Sequence, residues 1–264
     1  MFKQINSFSL FSILDVLLLS LVFNPAYAAL DIWTGEDLYN DEKVMFPTDV
    51  PMLDGNSIVF PGGTIDDMDF GKLIELELEE IPKNGDVLIR ITMNLTRLYG
   101  DWDPSIGLTD GSDYIGINIS DYFDSPSAGA ATFVKGTDEG DRVDWTDGSE
   151  LFKSTGFPLI GENVDVMVEF DLTPDNTQVS VSTLGRTGSY STDRLNRSNG
   201  LSFAFIRDGR FESYGVNTLS IETINGLDPH DPDDCAVELC PPRSNLIILI
   251  PILIKSGVIE ANQQ

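Results

Sequence analysis

Short runs in which apolar and polar residues alternate recur between residues 72 and 224, and no helical period persists there. Clusters of Gly, Pro, Asp and Asn separate these runs, and "DVMVEFDL" and "TQVSVSTL" flank "TPDN" as a hairpin would. Alternation with a period of two is typical of half-buried strands. The pattern predicts an all-β protein with antiparallel sheets, which bury their apolar faces as two packed sheets or as one closed sheet.

The chain divides into four segments by composition. Residues 1–28 have Lys3, an apolar run and the small residues Ala26 and Ala28, which is typical of a secretory signal peptide cleaved after Ala28. Residues 29–54 are interpreted as an N-terminal extension and residues 55–225 as the β-domain. A secreted, extracellular protein is expected, although an uncleaved N-terminal anchor is the alternative.

Residues 226–264 form an acidic linker followed by an apolar tail that Pro251 interrupts. The apolar run is too short to span a bilayer. No other segment of the mature chain offers a membrane contact, so any membrane association would be through this tail. Cys235 and Cys240 are the only cysteines, and a disulfide between them is the default in a secreted chain. The single histidine, His230, lies in the same linker, which argues against a Ser-His-Asp triad or a histidine-based zinc site in the domain.

The net charge excludes one class of partner. The chain has 43 acidic and 16 basic residues, a formal charge of −27. Such a surface repels phosphate backbones, so nucleic acid is not expected as a partner. Cations and basic partners are favoured, or the charge only keeps a secreted protein soluble.

Three Asn-x-Ser/Thr sequons, at Asn94, Asn118 and Asn196, predict a glycoprotein. Their asparagines must face solvent if they carry glycans. Asn94 and Asn118 lie inside strand-like runs, so each of those strands is expected to have one solvent-facing side.

The stretch "YGDWDPSIGLTDGSDYIGINISD", residues 99–121, contains four aspartates around one tryptophan. Asp110-Gly111 is a strong hairpin signal, so Asp110 is interpreted as a turn residue. Asp101, Asp103 and Ser105 have the spacing of a calcium loop, but an EF-hand is rejected because Ile106 stands where it needs glycine.

A second stretch, "EGDRVDWTDGS", repeats the Asp-Trp step. If the two loops are neighbours, they form an acidic rim. Its aromatic rings would stack on sugars, and its carboxylates would hold a cation such as calcium. The predicted ligand-binding residues are Trp102, Asp103, Trp145 and Asp144, and the predicted metal ligands are Asp101, Asp103, Asp141 and Asp144. The alternative is that the tryptophans pack at loop bases and the aspartates are solvated.

The run "ELELEE" places Glu75, Glu77 and Glu79 along one strand. It resembles the Glu-x-Asp-x-Glu strand of jelly-roll glucanases, with Glu77 at the position of Asp. The resemblance implies a glycoside hydrolase that uses Glu75 and Glu79. The alternative is a charged solvent face or a protected edge strand.

The strand rhythm of "ELELEEIP", "DVMVEFDLTPDNTQVSVSTL" and "LSFAFIRDGRFESYGVNTLSIETI" resembles the concanavalin A-like, laminin-G-type jelly roll, over residues 55–225. The resemblance implies an antiparallel two-sheet β-sandwich with lectin-like, often calcium-assisted, carbohydrate binding at one rim. An immunoglobulin-like sandwich is less favoured because its inter-sheet cysteine pair is missing. We interpret the chain as a binding module for glycans or an extracellular protein, with a glycoside hydrolase and a structural matrix or adhesion component as the alternatives.

Overall fold

The computed structural model describes residues 27–61, 71–79, 81–99, 103–122, 125–155, 158–207 and 213–225. These residues form one six-residue helix, α1 (Gly35–Asn40), and otherwise almost only strands. The strands are β1 (Tyr27–Thr34), β2 (Val44–Met45), β3 (Met52–Asp54), β4 (Ser57–Phe60), β5 (Gly71–Leu78), β6 (Val87–Tyr99), β7 (Pro104–Thr109), β8 (Asp113–Tyr122), β9 (Ser125–Asp138), β10 (Val143–Ser154), β11 (Asn163–Leu172), β12 (Asn176–Thr183), β13 (Arg186–Asp193), β14 (Leu201–Arg207) and β15 (Ser213–Asn225).

The strands make two antiparallel sheets. The front sheet has the order β10-β9-β8-β7-β14-β5-β2, and the back sheet has the order β13-β12-β11-β6-β15-β4-β3, with β1 also paired to β15. Their inner faces enclose one apolar core, to which β6 contributes Ile89, Ile91 and Met93, all fully buried. The predicted all-β, antiparallel two-sheet sandwich is therefore confirmed.

The local signals for turns also hold. The β11–β12 hairpin pairs Val166 with Thr183 and turns at the predicted "TPDN". At the β7–β8 turn, the Asp110 carboxylate accepts hydrogen bonds from the backbone N–H groups of Ser112 and Asp113, at 2.9 and 2.8 Å. Gly111 has the positive φ, 83°, that this turn requires. The interpretation of Asp110 as a turn residue matches this geometry.

Residues 27–54 lie within the sandwich. Strands β1 and β3 belong to the back sheet and β2 belongs to the front sheet. The described sandwich therefore begins at Tyr27 and includes residues 29–54, for which the sequence predicts a separate N-terminal extension. Cys235, Cys240, His230 and the apolar tail lie outside the described residues.

One face assignment needs correction. The alternation of "KLIELELEEI" predicts Leu73 on the face of Glu75, but Leu73 is fully buried in the core. A bulge at Leu73 interrupts the pairing of β5 with β14, because Ile74 is opposite Phe205 while Lys72 is opposite Ile206. The extra residue brings Lys72 onto the face of Glu75.

Among the described residues, no helix has the length and apolarity required to cross a membrane.

Candidate functional site

The outer face of the front sheet is closed by the chain itself. A small apolar cluster lies on this face, and Trp145 packs against the cluster. Its members are Tyr114, Val134, Val143, Ala204 and Ile206. All except Trp145 are at most 2% exposed. Side chains on the outer face of a sheet become this inaccessible only when another part of the protein covers them.

The tip of the β9–β10 hairpin provides part of this cover. The backbone N–H of Lys72 on β5 donates to the Asp141 carbonyl at 2.8 Å, and the Thr48 hydroxyl donates to the same oxygen at 2.9 Å. Gly71 and Arg142 also form an isolated bridge. Strands β8, β7 and β14 separate β9 from β5 in the sheet. The front sheet must therefore curve strongly for these two segments to meet.

A charged cluster lies under the hairpin tip. Lys72 Nζ is 2.7 Å from Asp138 Oδ2 and 3.3 Å from Glu75 Oε1. Burial raises the pKa of Asp138, but hydrogen bonds from Lys72, Thr109 and the Gly140 N–H outweigh it, so the pKa is lowered overall. The side chains of Lys72 and Asp138 are 1% and 3% exposed, so water is nearly excluded from this ion pair.

Tyr114 fills the middle of the outer face. It is fully buried, and its hydroxyl is 2.9 Å from Ser105 Oγ. Desolvation raises its pKa far above the usual value, and the hydrogen bond with Ser105 only partly opposes this shift. The ring lies over two glycines: a methyl group on Gly107 would lie 2.5 Å from Tyr114 Cζ, and one on Gly116 would lie 2.8 Å from it. Backbone oxygens are equally close, since Ile115 O would lie 2.3 Å from a methyl group on Gly107 and Ile106 O would lie 2.6 Å from one on Gly116, so glycine is required at both positions.

The predicted Asp-Trp rim is not assembled as expected. Pairing along the sheet aligns Trp145 with Gly136, Tyr114 and Thr109, at one end of β7. Asp103 precedes the other end of β7, six residues away, which is about 20 Å along an extended strand. Asp103 therefore does not lie beside Trp145 or Asp144. Asp101 and Trp102 lie outside the described residues.

The structure also gives no cation site for the described part of this set. Asp141 and Asp144 are exposed at the hairpin tip and at the start of β10. No group of three or more His, Cys, Asp or Glu side chains within the described ranges is placed to hold a metal ion. Trp145 is half-buried in β10 and packs against the apolar cluster of the outer face.

A bulge in β10 separates Trp145 from Asp147. Trp145 is opposite Gly136, whereas Asp147 is opposite Lys135, so Thr146 is the extra residue. Residues two apart on a regular strand share a face, but the bulge directs Asp147 to the opposite side of the sheet from Trp145. Asp147 therefore joins Lys135 at the margin where the front and back sheets come together.

An open cleft lies at that margin, between β9–β10 and β13. It has a volume of about 350 Å³, and its lining residues are Phe133, Lys135, Asp147, Tyr190, Ser191, Thr192 and Asp193. The Tyr190 ring stacks on Phe133, with 4.3 Å between ring centroids and 18° between ring planes. Lys135 Nζ lies 3.7 Å from Asp193 Oδ2. The cleft therefore combines an aromatic ring with several hydrogen-bonding groups.

Lys135, Tyr190 and Asp193 are not among the site residues that the sequence predicts. Tyr190 lies in "RTGSYSTD", the β13 strand, which has no apolar alternation to mark an inner face. The one available signal was a single aromatic residue within a polar strand. Its stacking partner, Phe133, is 57 residues earlier in the sequence and cannot be paired with it from spacing.

The glutamates of the hydrolase alternative are held in ion pairs. Glu75 contacts Lys72, and Glu79 Oε1 is 2.7 Å from Lys43 Nζ on the surface. A shallow groove of about 290 Å³ is lined by Glu77 together with Asp110 and Asn199. Asp110 has a structural role in this groove, because its Oδ2 also accepts a hydrogen bond from the Asn196 N–H at 3.0 Å.

The three sequons have different surroundings. Asn118 is 4% exposed, and its Nδ2 donates to the Asp103 carbonyl at 3.2 Å, so the expected solvent-facing position is not found. Asn94 is half-buried, and its Nδ2 donates to Asp165 at 2.6 Å. Asn196 is exposed, and its side-chain oxygen accepts from the Ser198 N–H. Of the three asparagines, Asn196 is the most exposed and Asn118 is the most buried.

Comparison with known proteins gives matches in structure alone. No protein-family model matches the chain, and no curated protein matches it in sequence. The chain is similar to the winged bean acidic lectin complexed with methyl-α-D-galactose, with 9% identity over 76% of this chain and 100% of that one, at a TM-score of 0.44. It is also similar to the Bauhinia forficata lectin in complex with GalNAc (6% identity, 75% and 99% covered, TM-score 0.45). An alginate lyase in complex with alginate tetrasaccharide matches with 9% identity, 72% and 92% covered and a TM-score of 0.41.

Proposed function

We propose that this protein is a carbohydrate-binding β-sandwich module and that its ligand occupies the cleft between β9–β10 and β13. The observation that carries the proposal is the Tyr190 ring, half-buried against Phe133 within a polar cleft. Sugar rings have apolar C–H faces and polar edges. A site for them needs an aromatic surface and hydrogen-bonding groups around it.

The polar groups of the cleft suit sugar hydroxyls. The carboxylates of Asp147 and Asp193 accept hydrogen bonds, the Lys135 ammonium donates them, and the hydroxyls of Ser191 and Thr192 do both. One oxygen of Asp147 already accepts the Gly148 N–H at 2.8 Å, which fixes the carboxylate. With a net charge of −27, the protein favours neutral or cationic glycans over polyanionic ones.

Binding to a glycan array tests this proposal. Tyr190→Ala removes the aromatic surface, and Tyr39→Ala is the matched control because Tyr39 is exposed on α1, outside the cleft. We expect wild type and Tyr39→Ala to retain the same glycan signals and Tyr190→Ala to lose them. Equal signals from all three proteins would overturn the assignment of the cleft.

The same array distinguishes the other functions. Repeating it with calcium and then with a chelator shows whether a cation assists binding, as the sequence analysis expects. A hydrolase shortens bound oligosaccharides, and its activity would depend on Glu75 or Glu79. A matrix or adhesion component gives no saturable glycan signal.

Secretion is part of the proposal. Cleavage after Ala28 would leave Ala29–Thr34 paired with β15, since Ala29 is opposite Thr223 and Thr34 is opposite Thr218. We expect amino-terminal sequencing of protein recovered from the medium to begin at Ala29. A start at Met1 would support the uncleaved anchor instead.

A further inference from the structure

Lysine and two carboxylates meet in a water-excluded position on the outer face of the front sheet. Lys72 Nζ lies 2.7 Å from Asp138 Oδ2, so the amine is one bond away from contact with the carboxyl carbon that carries this oxygen. Glu75 Oε1 is 3.3 Å from the same nitrogen. Lys72 and Glu75 share this face only because of the bulge at Leu73.

The surroundings of this triad are apolar. Lys72 is opposite Ile206 across the β5–β14 ladder, and Asp138 is opposite Val143 across the β9–β10 ladder. Both partners belong to the apolar cluster that contains Tyr114. Taking two charges out of water is costly, and the hydrogen bonds to Asp138 described above offset that cost.

Nothing in the glycan-binding proposal explains this arrangement. A buried ion pair is often no more stabilising than apolar residues of similar volume. Hydrogen bonds of the backbone already hold the hairpin tip to β5, through Lys72 N–H and Asp141. The triad brings a nucleophile, an acyl carbon and a proton carrier together.

We propose that Lys72 and Asp138 condense to an intramolecular amide bond, with Glu75 carrying the proton. A proton moves from the Lys72 ammonium to Asp138, which gives the neutral amine and acid. Nζ attacks Cγ of Asp138, and Glu75 takes a proton from the nitrogen and delivers it to the departing oxygen. The C–N bond forms, one C–O bond breaks, and one water leaves. No oxidant or cofactor is needed.

The bond forms once per molecule, so a small population of the neutral pair is sufficient. Folding places the nucleophile against the acyl carbon, which replaces a bimolecular encounter with an intramolecular step. Proton transfer by a positioned carboxyl group contributes further. Thr109, whose hydroxyl donates to Asp138 Oδ2, fixes the orientation of the carboxyl group during the attack.

The consequence is a covalent strap. The amide would join β5 to the β9–β10 hairpin tip across 66 residues of sequence. It would lock the cover of the outer face in place while leaving the cleft at β13 open. The strap is independent of glycan binding, so either proposal stands if the other fails.

Peptide mass spectrometry of the wild-type full chain is the test. Trypsin does not cleave after an acylated lysine, so the bond predicts one species that joins residues 44–83 to residues 136–142 and is one water lighter than their sum. Separate peptides 44–72 and 136–142 at full yield would overturn the proposal.

Two variants define the chemistry. Lys72→Arg keeps the positive charge but cannot form the amide, and we expect its Gly136–Arg142 peptide to appear unlinked. Glu75→Gln keeps the size of the side chain but cannot accept the proton. We expect the fraction of linked protein to fall by at least about tenfold at equal times after refolding. A Glu75→Gln protein that links as completely and as fast as wild type would remove Glu75 from the mechanism.

Discussion

Strand β9 separates two regions with opposite properties. Val134 and Gly136 face the outer side of the front sheet, where Tyr114 and the hairpin tip exclude water. Phe133 and Lys135, the alternate residues, face the cleft, where Tyr190 stacks and polar groups remain accessible. Strands β9 and β10 therefore contribute residues both to a closed face and to an open cleft. The difference comes from glycines that admit a ring on one side and from a bulge that turns Asp147 to the other.

Gly107→Ala should break the closed face and give the largest loss of stability. Its methyl group would meet the Tyr114 ring at 2.5 Å, and we expect the free energy of unfolding to fall by about 3 kcal/mol. Gly148→Ala on β10 is the matched control because its nearest contact would be 3.4 Å. Chemical denaturation of the two variants gives the comparison. Equal stability would show that the outer face is not tightly packed.

Tyr190→Ala should affect the open region instead. We expect it to weaken glycan binding by at least about tenfold, or 1.4 kcal/mol, because the stacking surface is lost. Tyr190→Phe keeps the ring and should retain most of the affinity. Titration calorimetry with the glycan that gives the strongest array signal measures both variants. If Tyr190→Phe binds the glycan as weakly as Tyr190→Ala, the Tyr190 hydroxyl and not the ring provides the affinity.

Tyr114→Phe should cost about 1 kcal/mol, since it removes the hydrogen bond with Ser105 inside the closed face. Because burial raises the pKa of Tyr114, its neutral form stabilises the fold fully below the pKa of an unfolded tyrosine, about 10. That contribution declines as the pH rises through that value. Wild type should therefore lose more stability than Tyr114→Phe above pH about 10, as denaturation across alkaline pH would show.

Glycan occupancy should change stability least and still distinguish the two regions. After secretion from a eukaryotic host, we expect a glycan at exposed Asn196 and none at Asn118, which is buried on the outer face. Asn196→Gln should remove one glycan mass and leave the unfolding midpoint nearly unchanged. Peptide mapping that finds Asn118 fully glycosylated in folded protein would contradict the closed face.

The fold was predictable because alternation and turn chemistry are local. The run at Val166–Leu172 and the turn at Asp110-Gly111 specify strands and hairpins without reference to distant residues. The site was not predictable for the same reason. The bulge at Thr146 separates Trp145 from Asp147, and no sequence pattern marks it. Tyr190 acquires its role only by meeting Phe133 across the two sheets.

Backbone amide chemical shifts during a titration test the contrast between the two regions most directly. The array-selected glycan is added to isotopically labelled wild-type protein and to Tyr190→Ala. We expect shifts at Lys135, Asp147 and Tyr190–Asp193 in the wild type, none at Tyr114 or Val134, and no response from the variant. Shifts centred on Tyr114, Val134 and Ala204, unchanged by Tyr190→Ala, would instead show that the sugar binds at the outer face after that face opens, and not in the cleft.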